Sequence, residues 1–276
     1  MKIHNENFNI VQIAESGQCF RMNYIEEGKY SLIAFGRYLE LYQVEDNVVE
    51  LSCSEAEYEE VWKHYFDLEY DYHHLTDQLI NGSDDFLRSA AEYGKGIRIL
   101  RQDFFEMMIS FIISQNKNIP AIKNCVEALC KTYGSRIEGP LGRAGSYYAF
   151  PTPEQLARAT KEELRALKVG YRDEYILQAS LAVVNGQLNR EEISSYSYQD
   201  AFKALRQIHG IGDKVANCIC LYGLHHIEVF PIDVWIKRIL EEVYQNDFDL
   251  KHYEGHAGIV QQYMFYYMRN IKMSKA

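Results

Sequence analysis

Positive charge is scarce in this chain. Its 276 residues carry 29 lysines and arginines against 39 acidic side chains, a formal net charge of −10 at neutral pH. That excludes a surface that coats nucleic acid indiscriminately, because neutralising phosphates takes clustered Lys and Arg. Any contact with a polyanion has to be local. The acidic runs at Glu45-Asp46, Glu55 to Glu60, Asp67 to Asp71 and Asp84-Asp85 fall in the first third, whereas Lys203, Arg206 and Lys214 make the stretch 203–214 net basic. No run of about 18 apolar residues occurs, so no membrane span is expected. The opening Met1-Lys-Ile-His-Asn-Glu-Asn-Phe8 lacks the apolar core of a signal peptide, which places the chain inside the cell. None of the six cysteines (19, 53, 125, 130, 218, 220) forms a Cys-x-x-Cys pair, so a four-thiolate metal cluster is excluded and reduced thiols are expected. There is no internal repeat and no low-complexity segment.

What is present is a soluble globular composition, 47% apolar, that changes character along its length. Up to about residue 55, short runs such as Tyr30-Ser-Leu-Ile-Ala-Phe35, Tyr38-Leu-Glu-Leu-Tyr42 and Val48-Val-Glu-Leu51 alternate apolar and polar residues between turn signals, a meander of antiparallel strands. From Ser54 onward the period becomes helical. Glu55 to Phe66 and Tyr72 to Leu79 read as helices, and Ser83-Asp84 as a helix start. Asp103 caps a stripe of Phe104, Met107, Met108, Phe111 and Ile112, with Glu106 at capping-box spacing. Further helices are expected over 119–133, after Thr152 and Thr160, over 175–184 and 198–208, and finally from about 254 to 268. The fold class is α+β: a small N-terminal antiparallel β-sheet domain (1–85) followed by an all-helical domain (86–276).

The stretch Gln207-Ile-His-Gly-Ile-Gly-Asp-Lys-Val-Ala-Asn-Cys-Ile-Cys220 reads as helix, tight hairpin, helix, spanning about 198–224. Gly210 and Gly212 supply a turn with left-handed backbone, and the bare amides of the turn and the next helix start suit a phosphate. Lys214 lies in the first turn of that helix, where the positive end of the dipole works toward the neutral amine a nucleophile needs. Asp233, nineteen residues on, follows Pro231 and precedes an apolar run, which is an N-cap position. By themselves these residues also fit a core-packed helical hairpin with a surface lysine.

The hairpin, its lysine and the Asp resemble the helix-hairpin-helix DNA glycosylases, and Lys214 is similar to the catalytic Lys of their bifunctional members. Within that superfamily the chain most resembles the 8-oxoguanine DNA glycosylases, over roughly residues 10–268. Glu15-Ser-Gly-Gln-Cys-Phe-Arg21 is similar to their Ser-Gly-Gln-x-Phe-Arg segment, whose glycine carbonyl accepts from N7–H of 8-oxoguanine; Gly17 takes that place here. A carbonyl facing N7 of guanine meets a lone pair, so the contact discriminates. The resemblance implies that Asn116 fills the space of the extruded nucleotide, that Tyr171 wedges beside the orphan base and that Arg172 donates to it. It also implies that Gln261 reads the Watson–Crick edge, that Phe265 stacks on the base and that Cys218 forms the opposite wall. Gln261 and Phe265 are four apart, as are Lys214 and Cys218, so each pair shares a helix face.

The implied activity is a DNA glycosylase with AP lyase activity acting as a monomer on duplex DNA containing 8-oxoguanine, in the nucleoid of a prokaryote or the nucleus of a eukaryote. No organic cofactor or metal is implied, beyond a monovalent cation or Ca²⁺ that the resemblance allows on the hairpin carbonyls. A glycosylase for another damaged base and a non-enzymatic DNA-binding module are the alternatives. Three positions depart from the family pattern: Ala121 stands where an Arg is common, Trp235 where a His is, and Asn217 where an Asp is. The first bears on opposite-base selectivity, the others on a phosphate contact.

Overall fold

The computed structural model describes residues 1–139 and 146–273. A five-stranded antiparallel sheet comes first, and helices follow. The strands are β1 (Lys2–His4), β2 (Met22–Glu26), β3 (Lys29–Ala34), β4 (Arg37–Glu45) and β5 (Val48–Leu51), in the spatial order β1-β5-β4-β3-β2. The alternation read from the sequence sets the register. Met22 faces Leu32, which faces Leu39; Tyr30 faces Leu41, which faces Leu51. All of these residues are buried, so a one-residue slip would turn the whole set to solvent.

The alternating stretch is interrupted where the sequence reading expected none. Ile10–Glu15 is a helix (α1), capped by the Asn9 side chain, which accepts from Gln12 N at 3.0 Å. Ile10 and Ile13 pack into the sheet core beside Trp62 and Phe66. Six residues give too few turns for a helical period to stand out. The expected helix over 55–66 is helical but not uniform: a π turn at Tyr58–Trp62 joins Glu55–Glu57 to Lys63–Tyr65.

The helical part consists chiefly of α2 (His73–Ile80), α3 (Asp85–Gly94), α4 (Phe104–Ser114), α5 (Ile119–Tyr133), α6 (Asp173–Val184), α7 (Tyr198–Arg206), α8 (Asp213–Gly223), α9 (Val234–Glu242) and α10 (Ala257–Met273). Thr152 and Thr160 each close a reciprocal capping box, as their sequences predict. The last helix starts three residues later than expected and runs further, to Met273.

α4 is the axis of this part. Every residue from Phe104 to Ile113 is buried, with α5, α6 and α8 packed around it. Its cap is only half a capping box. Asp103 accepts from Glu106 N at 3.0 Å, but the Glu106 side chain is drawn into the interior toward Arg21. Burial pushes its carboxyl pKa up to about 8, against the pull of the Arg21 guanidinium. Phe20, Tyr72, Leu75 and Leu79 pack with the helical core, so the earlier third of the chain contributes to both apolar clusters. All six thiols are free. No helix among the described residues is long and apolar enough to cross a membrane.

Candidate active site

The hairpin between α7 and α8 turns on one glycine, not two. Gly210 has φ +91°, and a Cβ there would lie 2.2 Å from Cγ of Tyr175. Gly212 is extended (φ −85°, ψ 176°), and a Cβ there would meet nothing within 4 Å. Its lack of a side chain leaves the outer face of the turn open beside the unpaired N–H groups that begin α8. Ile208 and Ile211 bury the inner face. The Tyr198 hydroxyl donates to Asn217 Oδ1 at 2.9 Å, so Asn217 ties α7 to α8.

Lys214 is the second residue of α8 and stands half-buried. Its Nζ lies over the face of Phe111, 5.4 Å from the ring centroid, and its charge acts on the Cys218 thiol one turn on. Asp233 caps α9, accepting from Ile236 N at 2.8 Å. Burial pushes the Asp233 carboxyl pKa above the usual range, while the backbone N–H of Ile236 and the charge of Lys214 pull it down. Burial likewise raises the Cys218 thiol, opposed by Lys214.

These residues share a cavity of about 390 Å³ whose lining includes Lys214, Asp233, Cys218, Gly17, Gln261 and Phe265. Segments far apart in sequence thus converge on one cavity. Gly17 is fixed from both sides. Gln262 donates to the Ser16 carbonyl at 2.7 Å, and the Gln18 side chain bridges Arg98 O (2.9 Å) and Leu100 N (2.8 Å). With φ +79° and the Phe265 ring 3.3 Å from where a Cβ would be, position 17 requires glycine. Oε1 of Gln261 is buried in the cavity wall with no hydrogen-bond partner. A buried acceptor left unpaired costs about 1–3 kcal/mol, and a ligand edge that brings donors removes that cost.

The sequence reading did not single out Tyr222, Pro231 or Arg269 for this cavity, and it placed Phe111 only in the core. Arg269 was within reach, since it continues the Gln261–Phe265 face by one more turn. Trp235, noted as a departure, also lines the wall. A second cavity of about 280 Å³ beside Arg21, Phe105, Glu106 and Phe150 contains none of the expected residues.

The residues expected to fill an emptied base stack lie outside the cavity. Asn116 is exposed with φ +52°, and Tyr171 is 53% exposed. Arg172, expected to donate to an orphan base, is instead buried, and its guanidinium donates to Val169 O and Gln115 O. Buried guanidinium groups seek carbonyls when no other acceptor is present; reaching a base requires those bonds to open. Gln115 in turn donates to Gly210 O at 3.1 Å, linking this loop to the hairpin.

Residues 1–108 match the family model described as the 8-oxoguanine DNA glycosylase N-terminal domain, and residues 109–255 match that of the HhH-GPD superfamily base excision DNA repair proteins. The structure is similar to MBOgg1, solved in complex with a low-affinity DNA ligand (TM-score 0.91, 35% identity, covering 98% of this chain and 96% of that one). It is also similar to the Clostridium acetobutylicum 8-oxoguanine glycosylase/lyase in complex with double-stranded DNA containing cytosine opposite 8-oxoG (TM-score 0.88, 36% identity, 97% and 93% covered). The N-glycosylase/DNA lyase of Saccharomyces cerevisiae is 37% identical over 199 residues, 68% of this chain; the match spans about half, 52%, of the yeast protein.

Proposed function

We propose, from the premise that this chain belongs to the 8-oxoguanine DNA glycosylases of the HhH-GPD base excision DNA repair superfamily, that it excises 8-oxoguanine from duplex DNA and nicks the strand. The observation that carries the reading is the meeting of a lysine amine, a half-buried carboxylate, the Gly17 backbone and the unpaired Gln261 amide oxygen in one cavity of about 390 Å³.

The reaction follows from these groups. A base must leave the stack before its glycosidic bond is accessible, at a cost of a few kcal/mol. The α8 start and the open face at Gly212 hold backbone phosphate through main-chain N–H groups. Asn116, Tyr171 and Arg172 occupy the vacated position, with Arg172 exchanging its carbonyl partners for the orphan base. In the cavity, Gly17 O accepts N7–H, Gln261 meets the Watson–Crick edge, and the base lies between Phe265 and Cys218. The Lys214 amine attacks C1′ through its nitrogen. The C1′–N9 bond breaks, its electron pair leaves with the base, and the proton that the amine surrenders goes to the departing base. Asp233 stabilises the positive charge developing on the sugar and orients Lys214. Ring opening gives a Schiff base; loss of a C2′ proton then expels the 3′ phosphate and nicks the strand.

The reading uses no organic cofactor. It assigns the protein to wherever the cell keeps its DNA, nucleoid or nucleus, acting as a monomer. Borohydride trapping on duplexes carrying 8-oxoguanine or guanine at one site tests it: a covalent complex is expected with the first alone. Excision of a different base from a panel of lesion duplexes would reassign the substrate. Binding without excision of any base would reduce the chain to a DNA-binding module.

A further inference from the structure

The fold resemblance allows a monovalent cation or Ca²⁺ on the hairpin carbonyls, where it would support phosphate binding. The carbonyls present do not fit that role. Ile208 O accepts from Ile211 N at 3.1 Å, and Gly210 O accepts from the Gln115 Nε2 amide at 3.1 Å. Ile211 O accepts from Arg206 Nη1 at 2.7 Å. Hard cations such as Ca²⁺ need about six to eight oxygen ligands with free lone pairs directed at one point. Here the Ile208, Gly210 and Ile211 carbonyls are each directed at an N–H donor, and one of those donors carries a full positive charge.

We propose that Arg206 is the hairpin's built-in cation: its guanidinium occupies the Ile211 carbonyl, so that this chain grips DNA backbone phosphate without a bound metal ion. Arg206 is the last residue of α7, one turn before the tight turn, and its side chain folds back across the turn to reach Ile211. Its Nε is held at 2.6 Å by Asp213 Oδ1, the first residue of α8. The guanidinium therefore straddles the junction between the two helices, pinned at both ends. It is 41% exposed, and Arg206 and the open Gly212 line the same shallow groove. A guanidinium stays charged at every relevant pH and is less strongly hydrated than an ammonium, which makes it a permanent substitute for an exchangeable ion. It polarises the Ile211 carbonyl, and through it the turn, as a metal would.

The inference rests on the functional reading only for its ligand, backbone phosphate. It is tested by the affinity of the full chain for a duplex containing a tetrahydrofuran abasic analogue, measured by fluorescence anisotropy. The salts are tetramethylammonium, sodium and potassium at equal ionic strength, each with Ca²⁺ or with a chelator. The unmodified protein should bind equally in all of them. Arg206→Ala should lose affinity in tetramethylammonium by about tenfold, the worth of one charged hydrogen bond, and regain it with potassium or Ca²⁺, because the freed Ile211 carbonyl becomes available to an ion. Arg206→Met, which keeps the length of the side chain but has neither charge nor hydrogen-bond donor, frees the same carbonyl, should behave likewise and serves if the alanine variant does not fold. Tenfold tighter binding of the unmodified protein in potassium or Ca²⁺ than in tetramethylammonium overturns the proposal. So do Arg206 variants whose affinity is indifferent to the cation. Absence of binding to any duplex in every salt overturns the functional reading itself, an outcome distinct from binding that depends on the cation.

Discussion

Nζ of Lys214 stands over the face of Phe111, 5.4 Å from the ring centroid. Phe111 belongs to α4, the most buried helix, and it stacks on Tyr222 with 15° between the rings. The amine is thus presented to the cavity on a fixed aromatic floor, with Cys218 and Asp233 among its polar neighbours. Lys214→Gln should abolish excision and nicking while retaining binding to lesion DNA. The measurement pairs a gel shift with borohydride trapping; a trapped complex with the variant would show that another amine is the nucleophile.

Asp233 combines a structural and an electrostatic task. Asn at 233 can still cap α9 through its amide oxygen, so the fold should persist while single-turnover excision slows by roughly 10²- to 10³-fold. The pH profile separates the two roles. Burial raises the Asp233 carboxyl pKa, and in the proposed mechanism the charged form is the one that stabilises the sugar cation. Excision should therefore fall as pH drops through a value above the usual carboxylate range, and that limb should vanish in Asp233→Asn. An identical acid limb in both proteins would assign it to a different group.

Opposite-base selectivity should be weak. Ala121 has no side-chain donor, and the nearby cations are engaged: Lys117 donates to Lys168 O at 3.0 Å and Lys123 to Met22 O at 2.6 Å. A charged hydrogen bond to cytosine is worth about 1.5–3 kcal/mol. Discrimination among C, T, G and A opposite 8-oxoguanine should therefore fall short of members with both arginines by about one order of magnitude per lost bond. Single-turnover rates on four duplexes decide this; a cytosine preference of about a thousandfold would mean that Lys117, Lys123 or another group supplies the contact.

Glu106 should make stability fall with pH. Its carboxyl is raised from 4.5 to about 8 in the fold, so the native chain holds a proton that the unfolded chain has released. Stability is full below the ordinary carboxylate range and declines as pH rises through about 8. Glu106→Gln removes that dependence. Its melting temperature should match the parent at acid pH and exceed it at mildly alkaline pH; a constant difference across the range would contradict the burial argument.

The two hairpin glycines should fail differently. Gly210→Ala places a Cβ against Tyr175 in a left-handed backbone and should cost at least about 1–2 kcal/mol in denaturant unfolding. Gly212→Ala meets open space and should leave unfolding unchanged while weakening DNA binding. Equal effects of both on stability would remove Gly212 from the phosphate surface.

Much of the site was legible because its residues lie in short, spaced signals. A Gly-rich turn ahead of a lysine, an Asp before an apolar run and pairs four residues apart each survive without long-range information. What stayed hidden depends on tertiary contacts. Arg172 points inward because Gln115 and Val169 carbonyls are close in space, which no local pattern encodes. Arg206 reads as an ordinary basic residue near a helix end until the turn folds Ile211 back onto it. Glu106 sits at capping-box spacing, yet α4 is buried all round and the carboxylate has no route back to the solvent-side cap. The six-residue α1 escaped because the strands around it dominate the local period.

The bond from Gln262 to the Ser16 carbonyl joins residues 246 positions apart. It has a consequence for biosynthesis. On a ribosome the strand-rich part and the hairpin with Lys214 emerge well before α10. Until α10 docks, the Gly17 backbone has lost one of its two anchors, and Gln261 and Phe265 are missing from the wall. On the proposed mechanism, a chain that stops short of α10 carries the amine without the groups that would choose a base. Translation through α10 is, on that mechanism, itself a safeguard, because the cavity wall is completed only when α10 docks.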